Sequence, residues 1–281
     1  MKLTPLPAVM LEPLVRAALL EDLGLAGDIT TDAIVPPGLQ IVTALVARQP
    51  GVVAGLELAA LAFQLISPDI VVEVHKPDGG RLSAMEAIAT VRGPAGAILT
   101  AERVALNFLS HLSGIATATA SVADALAGSK TRVTCTRKTM PGLRAVEKYA
   151  VRAGGGSNHR FGLNGAILIK DNHVAIAGDV RTAIARVRAH IGHLVKVEVD
   201  TLEQLEAALS VGVDAVLLDN MAVPMLHRAV TMVASRAITE ASGRITPATA
   251  PEIAATGVDL ISIGWLTHSV AVLDIGLDHK N

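Results

Sequence analysis

The chain has 281 residues, of which 51% are hydrophobic and 18% are charged, and its formal net charge at pH 7 is -2. This length and composition predict a globular protein with a large core. The near-neutral charge and the few aromatic residues exclude the basic field and the stacking surface that nucleic-acid binding requires. The single cysteine, Cys135, excludes an internal disulfide, and no apolar run has the length of a membrane span. We therefore expect a cytoplasmic protein that binds a compact metabolite rather than nucleic acid or a membrane.

The first third of the chain predicts a small α+β domain. Apolar residues at helical spacing from Leu11 to Leu19 predict a helix that ends near Gly24, and strand-like runs cover residues 40–47 and 70–75. Asp28 is expected to form a turn and a helix cap. A second helix is predicted to start with Thr100 as its N-cap. One face of that helix is polar and could face a binding site; it carries Arg103, Asn107 and His111.

From about residue 132 onward, predicted strands and helices alternate. The strands are 132–136, 166–169, 194–199, 215–218, 238–241 and 260–263, and helices such as 180–190 and 202–209 lie between them. This alternation indicates parallel strands joined by crossover helices. Six strands are fewer than the eight of the usual β/α barrel. The pattern therefore predicts a short, incomplete β/α barrel.

Polar residues stand at or just beyond the end of each predicted strand of this barrel. The carboxyl ends of barrel strands meet at one rim, where ligand-binding and catalytic residues collect. In chain order these residues are Arg137 and Lys138, Lys170, Glu198, Asp219 and Asn220, Ser242 and Gly243, and Gly264. We expect them to converge on one ligand.

The residues of this rim are of three chemical kinds. Arg137, Lys138, Arg160 and Lys170 would bind carboxylates or phosphates. The carboxylates of Glu198 and Asp219 could share Mg²⁺, bind sugar hydroxyls or stabilise a cationic transition state. The segments EASGRI and SIGWLTHS resemble the phosphate-binding turns of barrels. Together they predict a substrate with carboxylates at one end, a ribosyl phosphate at the other and a metal-bound diphosphate between them.

Long motifs in a fixed order resemble one family, the quinolinate phosphoribosyltransferases, which are decarboxylating nicotinate-nucleotide pyrophosphorylases. The barrel carries TRKTMPGLRAVEKYAVRAGGGSNHRFGL, ILIKDNH, VEVDTLEQL, LLDNM, EASGRI and GVDLISIGWLTHSV, and the first third carries LLEDLGLAGDITTDAI and AERVALNFLSHLSGIAT. The resemblance covers nearly the whole chain. It implies transfer of a phosphoribosyl group to quinolinate with loss of CO₂, giving nicotinate mononucleotide and pyrophosphate for NAD biosynthesis.

The resemblance also implies how the chain is organised. It predicts an N-terminal open-faced α+β sandwich domain at 1–113, to which a C-terminal tail of about 270–281 could belong, and a β/α barrel domain at 114–269. It implies a homodimer in which Arg103 reaches the partner's site, and it leaves a higher oligomer open.

Residue roles follow from the resemblance where the motifs match. Arg137, His159 and Arg160, with Thr136, would bind the quinolinate carboxylates, and Lys138 and Lys170 would face quinolinate and the phosphoribosyl diphosphate. Glu198 and Asp219 would hold the ribose and the Mg²⁺ diphosphate, mostly through substrate and water. The catalytic set would then be Lys138, Lys170, Glu198 and Asp219. The 5′-phosphate end would be formed by Ser242, Gly243, Arg244, Ser262, Gly264 and His268.

One position departs from the family pattern. The first phosphate loop commonly reads SGG, whereas this chain has Ser242, Gly243 and Arg244. If the second glycine serves a positive φ, the loop must shift; alternatively, Arg244 adds a charge beside the phosphate.

Several residues have simpler interpretations. Arg144, Lys148 and Arg152 recur every four residues and predict the solvated face of a helix. The run Gly154, Gly155 and Gly156 is either a flexible loop or a place where backbone approaches the ligand. Surface or packing roles are expected for His111, His190, His193 and His227.

Two other functions fit part of the pattern. A Schiff-base aldolase would use Lys170 or Lys196 as its nucleophile, but it leaves the arginines and carboxylates without a role. A paralogue associated with molybdate uptake would share the TRK and HR motifs and bind a different ligand. The presence of Lys170 in ILIKDNH favours the transferase.

Overall fold

The computed structural model describes residues 3–189 and 194–279 and contains two compact units. The first unit comprises the chain up to Ala120, the segment Thr139–Gly155 and the chain from Leu266 onward. The second comprises Ser121–Lys138 and Gly156–Trp265. The domain limits of 1–113 and 114–269 stay a prediction. Within the described ranges, no helix combines the length and the apolar character needed to cross a bilayer.

The first unit is built on an antiparallel sheet. Its strands are β1 (Gln40–Ala47), β3 (Val71–Val74), β5 (Ala87–Pro94) and β12 (Ile275–His279), and they lie in the order β12, β1, β5, β3. The short strands β2 (Gly51–Val52) and β4 (Arg81–Leu82) form a separate pair. Arg48 follows β1 and its Nη1 donates to Asp278 Oδ2 at 2.8 Å, which ties β1 to the C-terminal strand.

Helices accompany this sheet, and they are α1 (Ala8–Leu23), α2 (Ile29–Ile34), α3 (Leu56–Ile66), α4 (Ala95–Ala125) and α5 (Arg144–Ala153), with α4 continuing into the second unit. Asp28 caps α2 as predicted, because its Oδ1 accepts the Thr31 N–H at 3.0 Å. The predicted N-cap of α4 is wrong. The helix starts directly after Pro94, so Thr100 lies inside it, and the Thr100 hydroxyl donates to Asp28 Oδ2 at 3.1 Å.

Helix α5 is buried on more sides than its charge pattern predicts. Lys148 is only 2% exposed and Glu147 is fully buried. Glu147 accepts the Met140 N–H at 3.1 Å and contacts His111 Nε2 at 2.9 Å. The predicted solvated face is therefore wrong at Lys148. His111 takes the packing role that was expected.

The second unit is built on a six-stranded parallel sheet. Its strands are β6 (Arg132–Thr134), β7 (Ile167–Ile169), β8 (Val195–Val199), β9 (Ala215–Asp219), β10 (Ile238–Ser242) and β11 (Leu260–Ser262). Its helices are α6 (Asp171–Ala177), α7 (Val180–Arg188), α8 (Leu202–Val211), α9 (Val223–Val233) and α10 (Ala250–Ala255), and a 3₁₀ turn at Trp265–Thr267 follows β11. The predicted end of α7 at His190, like His193, lies outside the described residues.

The parallel sheet is open rather than closed. Its strands lie in the order β6, β11, β10, β9, β8, β7, so β6 and β7 are the two edges and do not pair with each other in the described part of the chain. A complete barrel would join them. The predicted class, an α+β sheet domain with a short and incomplete β/α barrel, is confirmed.

Candidate active site

Most of the predicted site residues meet at one edge of the parallel sheet. The carboxyl ends of parallel strands point the same way, so residues that end neighbouring strands become neighbours. Ser242 pairs in register with Asp219 on one side and with Ser262 on the other. Of the remaining residues, Lys170 follows β7, Glu198 lies in β8, and Thr136, Arg137 and Lys138 follow β6.

A cluster of guanidinium groups occupies the part of this edge that follows β6. Burial lowers the pKa of Arg160, and the positive charge of Arg137 lowers it further. Arg160 Nη1 donates to the Ala166 carbonyl at 2.8 Å, which fixes its direction. The Nε atoms of Arg137 and Arg160 are both buried without a hydrogen-bond partner among the described residues. Two repelling cations with unused donors make a site that an anion would complete.

Thr136 supports the turn that carries these cations. Its hydroxyl accepts the backbone N–H of Lys138 at 3.0 Å, so it stabilises the chain as it leaves β6. Local bonds of this kind are typical of threonine in turns. Lys138 itself is exposed.

A buried ion pair stands beside His159. Lys196 Nζ donates to Glu240 Oε2 and lies 3.0 Å from His159 Nε2, and His159 Nε2 is 3.4 Å from Glu240 Oε1. Burial alone would raise the pKa of Glu240, but its contacts with His159 and Lys196 outweigh burial and lower that pKa to about 2. Glu240 is therefore a carboxylate inside the protein, and Lys196 neutralises it.

Glu240 was missed by sequence reasoning, and Lys196 was considered only as a Schiff-base nucleophile. A signal was present, because both residues place a charged side chain within a largely buried strand. In β8, Lys196 and Glu198 alternate with three buried valines, and in β10, Glu240 alternates with the buried Thr239 and Ala241. Charged residues on one face of a buried strand indicate a polar pocket on that face.

Carboxylates dominate the edge at β8 and β9. Burial raises the pKa of Glu198; the Lys170 ammonium, 4.0 Å away, opposes this rise, whereas Asp219 adds to it. Asp171 and Asp200 add smaller increments of the same sign. The pKa of Asp200 is also raised, first by burial and then by the charges of Asp219 and Asp171. Asp171 and Asp200 were not predicted as site residues, although Asp171 directly follows Lys170 and Asp200 directly follows β8.

The loop after β10 keeps the backbone of a glycine loop. Gly243 has a φ of +111°, and a Cβ there would collide with the Asn220 side chain. Arg244 has a φ of +48°, so the loop retains a left-handed residue where the family pattern has its second glycine. The loop therefore need not shift to accommodate Arg244. The other possibility, that Arg244 adds a charge beside the phosphate, stays a prediction.

Side chains around this loop fix its two ends. The Ser242 hydroxyl donates to Asp219 Oδ1, and the Asn220 amide donates to Asp219 Oδ2 at 2.7 Å. Trp265 Nε1 donates to the Ile245 carbonyl at 2.8 Å, which joins this loop to the turn that contains Gly264. The two loops predicted to bind phosphate therefore support each other.

Two predicted site residues belong to the first unit. Arg103 is exposed on α4, and the exposed His268 follows the 3₁₀ turn with its Nδ1 2.6 Å from Ser269 Oγ. Their contribution to a site stays a prediction. Gly154 is also in the first unit, where a Cβ on it would collide with the Ala116 carbonyl of α4. Its lack of a side chain serves helix packing, which neither interpretation of the glycine run included.

Fold and site together define a two-unit α/β enzyme whose parallel sheet carries buried guanidinium groups and carboxylates at one edge. Family models for the N-terminal and C-terminal domains of quinolinate phosphoribosyl transferase match residues 28–113 and 115–278. The chain belongs to this family.

Relatives and solved structures agree with this membership. Nicotinate-nucleotide pyrophosphorylase [carboxylating] of Mycobacterium leprae is 47% identical over 270 residues, covering 94% of this chain and 95% of the relative. The probable enzyme of the same name from Bacillus subtilis is 43% identical over 273 residues, covering 96% and 93%. The crystal structure of the nicotinate-nucleotide pyrophosphorylase from Ehrlichia chaffeensis has a TM-score of 0.92 at 39% identity, covering 95% of this chain and 98% of that one.

Proposed function

We propose that the protein is a quinolinate phosphoribosyltransferase of NAD biosynthesis, in enzyme terms a nicotinate-nucleotide diphosphorylase (carboxylating). It transfers phosphoribosyl from phosphoribosyl diphosphate to quinolinate and releases pyrophosphate and CO₂, leaving nicotinate mononucleotide. The observation that carries this proposal is the pairing of a guanidinium cluster with a carboxylate cluster at one sheet edge, in a chain of this family.

The guanidinium cluster is suited to quinolinate. The two carboxylates of quinolinate would accept hydrogen bonds from Arg137 and Arg160, whose Nε donors are buried without partners among the described residues. His159 and Thr136 would lie beside them. Bidentate guanidinium contacts select planar carboxylates. Lys138 would add a cation near the reacting groups.

The carboxylate cluster is suited to ribose and to Mg²⁺ diphosphate. Burial and the charge of Asp219 raise the pKa of Glu198, and a cation between these carboxylates and the diphosphate would favour the ionised form of Glu198. Among the described residues no group of three or more His, Cys, Asp or Glu side chains is arranged to hold a metal alone. Substrate and water would therefore supply most ligands, as is usual for Mg²⁺. When bound, Mg²⁺ would neutralise charge on the leaving diphosphate.

The 5′-phosphate would lie at the loops after β10 and β11. Backbone N–H groups around Gly243 and Gly264 are suited to phosphate, and Ser242, Ser262, Arg244 and His268 would complete this end. Lys170 would lie toward the diphosphate, where its ammonium is half exposed and 4.0 Å from Glu198.

The residues explain the two steps of the reaction. The pyridine nitrogen of quinolinate attacks C1 of the ribose, the C1–O bond to pyrophosphate breaks, and Glu198 and Asp219 stabilise the positive charge that develops on the ribose. The bond to the adjacent carboxylate then breaks, CO₂ leaves, and the ring carbanion is stabilised by the neighbouring cationic nitrogen until it takes a proton from water. No dedicated general base is required.

A homodimer, in which Arg103 reaches the partner's site, and a cytoplasmic location complete the proposal. Arg103 is exposed on α4, as a residue that serves another subunit must be. A higher oligomer is compatible with this arrangement.

The direct test is an assay with purified protein, quinolinate, phosphoribosyl diphosphate and Mg²⁺. We expect nicotinate mononucleotide, CO₂ and pyrophosphate in equal amounts, and little product when nicotinate replaces quinolinate, because nicotinate lacks one carboxylate. Equal turnover of both pyridines, or no turnover of either, would refute the proposal.

Removal of a cation tests the residue assignment. Arg137→Ala or Lys138→Ala should lower turnover by about 10² to 10³, the usual cost of losing one preorganised electrostatic contact. Arg132→Ala is the matched control, since Arg132 is exposed at the start of β6, the strand that precedes Arg137 and Lys138. Near-normal turnover in the first two variants would defeat the assignment.

The Schiff-base aldolase is disfavoured by the ion pair of Lys196. The Nζ of Lys196 donates to the buried carboxylate of Glu240, and this ion pair occupies the nitrogen that a Schiff-base nucleophile must present to its carbonyl substrate. Treatment with a carbonyl substrate and borohydride should leave no covalent adduct on Lys196.

A further inference from the structure

We propose that Lys196 and Glu240 are positioning residues that hold His159 as the neutral tautomer protonated on Nδ1. The inference rests on the proposed function, because it assigns a state to a residue that is proposed to bind the quinolinate carboxylate. Its consequence is that His159 supplies a hydrogen-bond donor to the substrate, while the arginines supply the charge.

The positions of the three residues make this contact rigid. Lys196 lies in β8 and Glu240 in β10, and both strands pair with β9 between them. Their side chains are on the same face, since Glu198 and Glu240 both pair with Leu217 and Lys196 is two residues before Glu198. The exposed fractions of the side chains are 18% for Lys196, 11% for His159 and 1% for Glu240.

The hydrogen-bond roles follow from chemistry. A lysine ammonium has three donors and no acceptor, so the 3.0 Å contact between Lys196 Nζ and His159 Nε2 requires Nε2 to accept. A neutral imidazole that accepts on Nε2 carries its proton on Nδ1. This is the reverse of the tautomer that histidine prefers in water.

The alternative, an imidazolium that donates to Glu240, fits less well. The distance from His159 Nε2 to Glu240 Oε1 is 3.4 Å, beyond the usual range for such a bond. Glu240 Oε1 is buried and accepts no hydrogen bond within the described part of the chain. Lys196 therefore neutralises Glu240 and donates to the histidine, and a second cation on the ring would face the ammonium at hydrogen-bond distance.

The role of Glu240 is to keep Lys196 charged. Without the carboxylate, a largely buried lysine tends to lose its proton and with it one donor. A neutral amine can also accept a hydrogen bond, so Nε2 of His159 would no longer have to be the acceptor. Supporting groups that fix a histidine tautomer typically change affinity or activity about 10- to 100-fold when they are removed.

The test uses the double variant Lys196→Met/Glu240→Gln, because it removes both charges together and leaves no unpaired buried ion. The matched control is Lys130→Met, which removes a lysine that pairs with Asp259 at the surface. Two-bond ¹⁵N–¹H correlation spectra of histidine-labelled protein report the tautomer, and the variant His159→Asn identifies the signals of His159.

The wild-type protein and the Lys130→Met variant should show His159 with a proton on Nδ1 and none on Nε2. The double variant should lose this pattern and raise the KM for quinolinate about 10- to 100-fold, with the KM for phosphoribosyl diphosphate within about twofold of wild type. A wild-type His159 that is protonated on Nε2 overturns the inference, and so does an unchanged KM for quinolinate in a folded double variant.

Failure of the proposed function gives a different result. In that case the wild-type protein does not convert quinolinate, whereas the tautomer of His159 in the free protein is still read directly from the spectrum.

Discussion

Arg244 holds a backbone conformation that residues with a side chain avoid. Its φ of +48° lies in the left-handed region, which costs an L-residue other than glycine about 1–2 kcal/mol. The neighbouring Gly243 cannot relieve this strain, because its own φ is +111° and the Asn220 side chain packs directly against it. A strained arginine in a predicted phosphate loop is best explained if the guanidinium binds the phosphate.

Two substitutions at this position separate charge from strain. Arg244→Ala removes the charge and keeps the strain, whereas Arg244→Gly removes both. Both should raise the KM for phosphoribosyl diphosphate about tenfold, the value of one charge-assisted hydrogen bond. The free energy of unfolding of Arg244→Gly should exceed that of Arg244→Ala by up to about 1 kcal/mol. An unchanged KM in both variants would show that the arginine is only tolerated.

Glu198 is also a residue that stability alone would not select. Its pKa is raised, chiefly by burial, so ionisation of this group opposes folding. The contribution of Glu198 to the free energy of unfolding is complete below the ordinary pKa of a glutamate, and it is lost as the pH rises through the raised value. Burial of Glu198 therefore costs stability at neutral pH, as groups at active sites often do.

The variant Glu198→Gln tests this cost. It should melt at a higher temperature than the wild-type protein at pH 7, because it has no charge to bury. The difference should shrink as the pH falls toward 4, where the wild-type carboxyl becomes protonated. Turnover should fall at the same time. A variant that is less stable at pH 7 would contradict this reading, and thermal melts at several pH values decide the matter.

At the level of elements, the tight contact between α5 and α4 depends on one glycine. Gly154 ends α5 with an ordinary φ of -76°, so its importance comes from space rather than from conformation. The carbonyl of Ala116 and the side chain of Thr119 occupy the space that a Cβ on Gly154 would need. The backbones of the two helices are therefore as close as glycine permits.

Gly154→Ala should destabilise the protein by about 1–3 kcal/mol, the usual cost of overpacking a buried position. Gly165→Ala is the control, since a Cβ there meets its neighbours at ordinary distances of 3.6 Å or more. Denaturant unfolding of the two variants gives the comparison. Equal stability would mean that α4 and α5 separate more easily than their packing indicates.

Elements of the sheet could be predicted from sequence, but several contacts could not. All six parallel strands have a predicted counterpart within two residues at each end, because apolar runs bounded by polar residues mark buried strands. The start of α4 was missed because Pro94 and Ala95 join strand to helix without a polar cap. The burial of Lys148 and the role of Glu240 depend on partners distant in sequence, which periodicity does not reveal.

The same limit applies to the candidate site. Arg137, Lys170, Glu198, Asp219 and Ser242 could be found because a strand end is a local feature that carries a global position. The ion pair of Lys196 could not, because it joins β8 to β10 across an intervening strand. The position of these residues at the sheet edge was predictable; the partners that hold a neighbouring residue in place were not.

At the level of the whole molecule, the proposed site needs contributions that are far apart in the chain. Arg137 follows the first strand of the parallel sheet and Arg103 lies on α4 in the other unit. If Arg103 serves the partner's site, a subunit that lacks Arg103 still has its own Arg137, and a subunit that lacks Arg137 can still lend its Arg103. A dimer of one such subunit with the other then has one site that contains both arginines.

Mixing therefore tests the dimer. Arg103→Ala and Arg137→Ala should each be nearly inactive alone. After dissociation and random reassociation in equal amounts, half of the dimers are mixed, and each has one site with both arginines, so activity should recover to about a quarter of the wild-type value. Mixing two batches of Arg137→Ala is the control and should recover nothing. If Arg103 served its own subunit, every site in the mixture would lack one arginine and the activity would stay at the level of the separate variants.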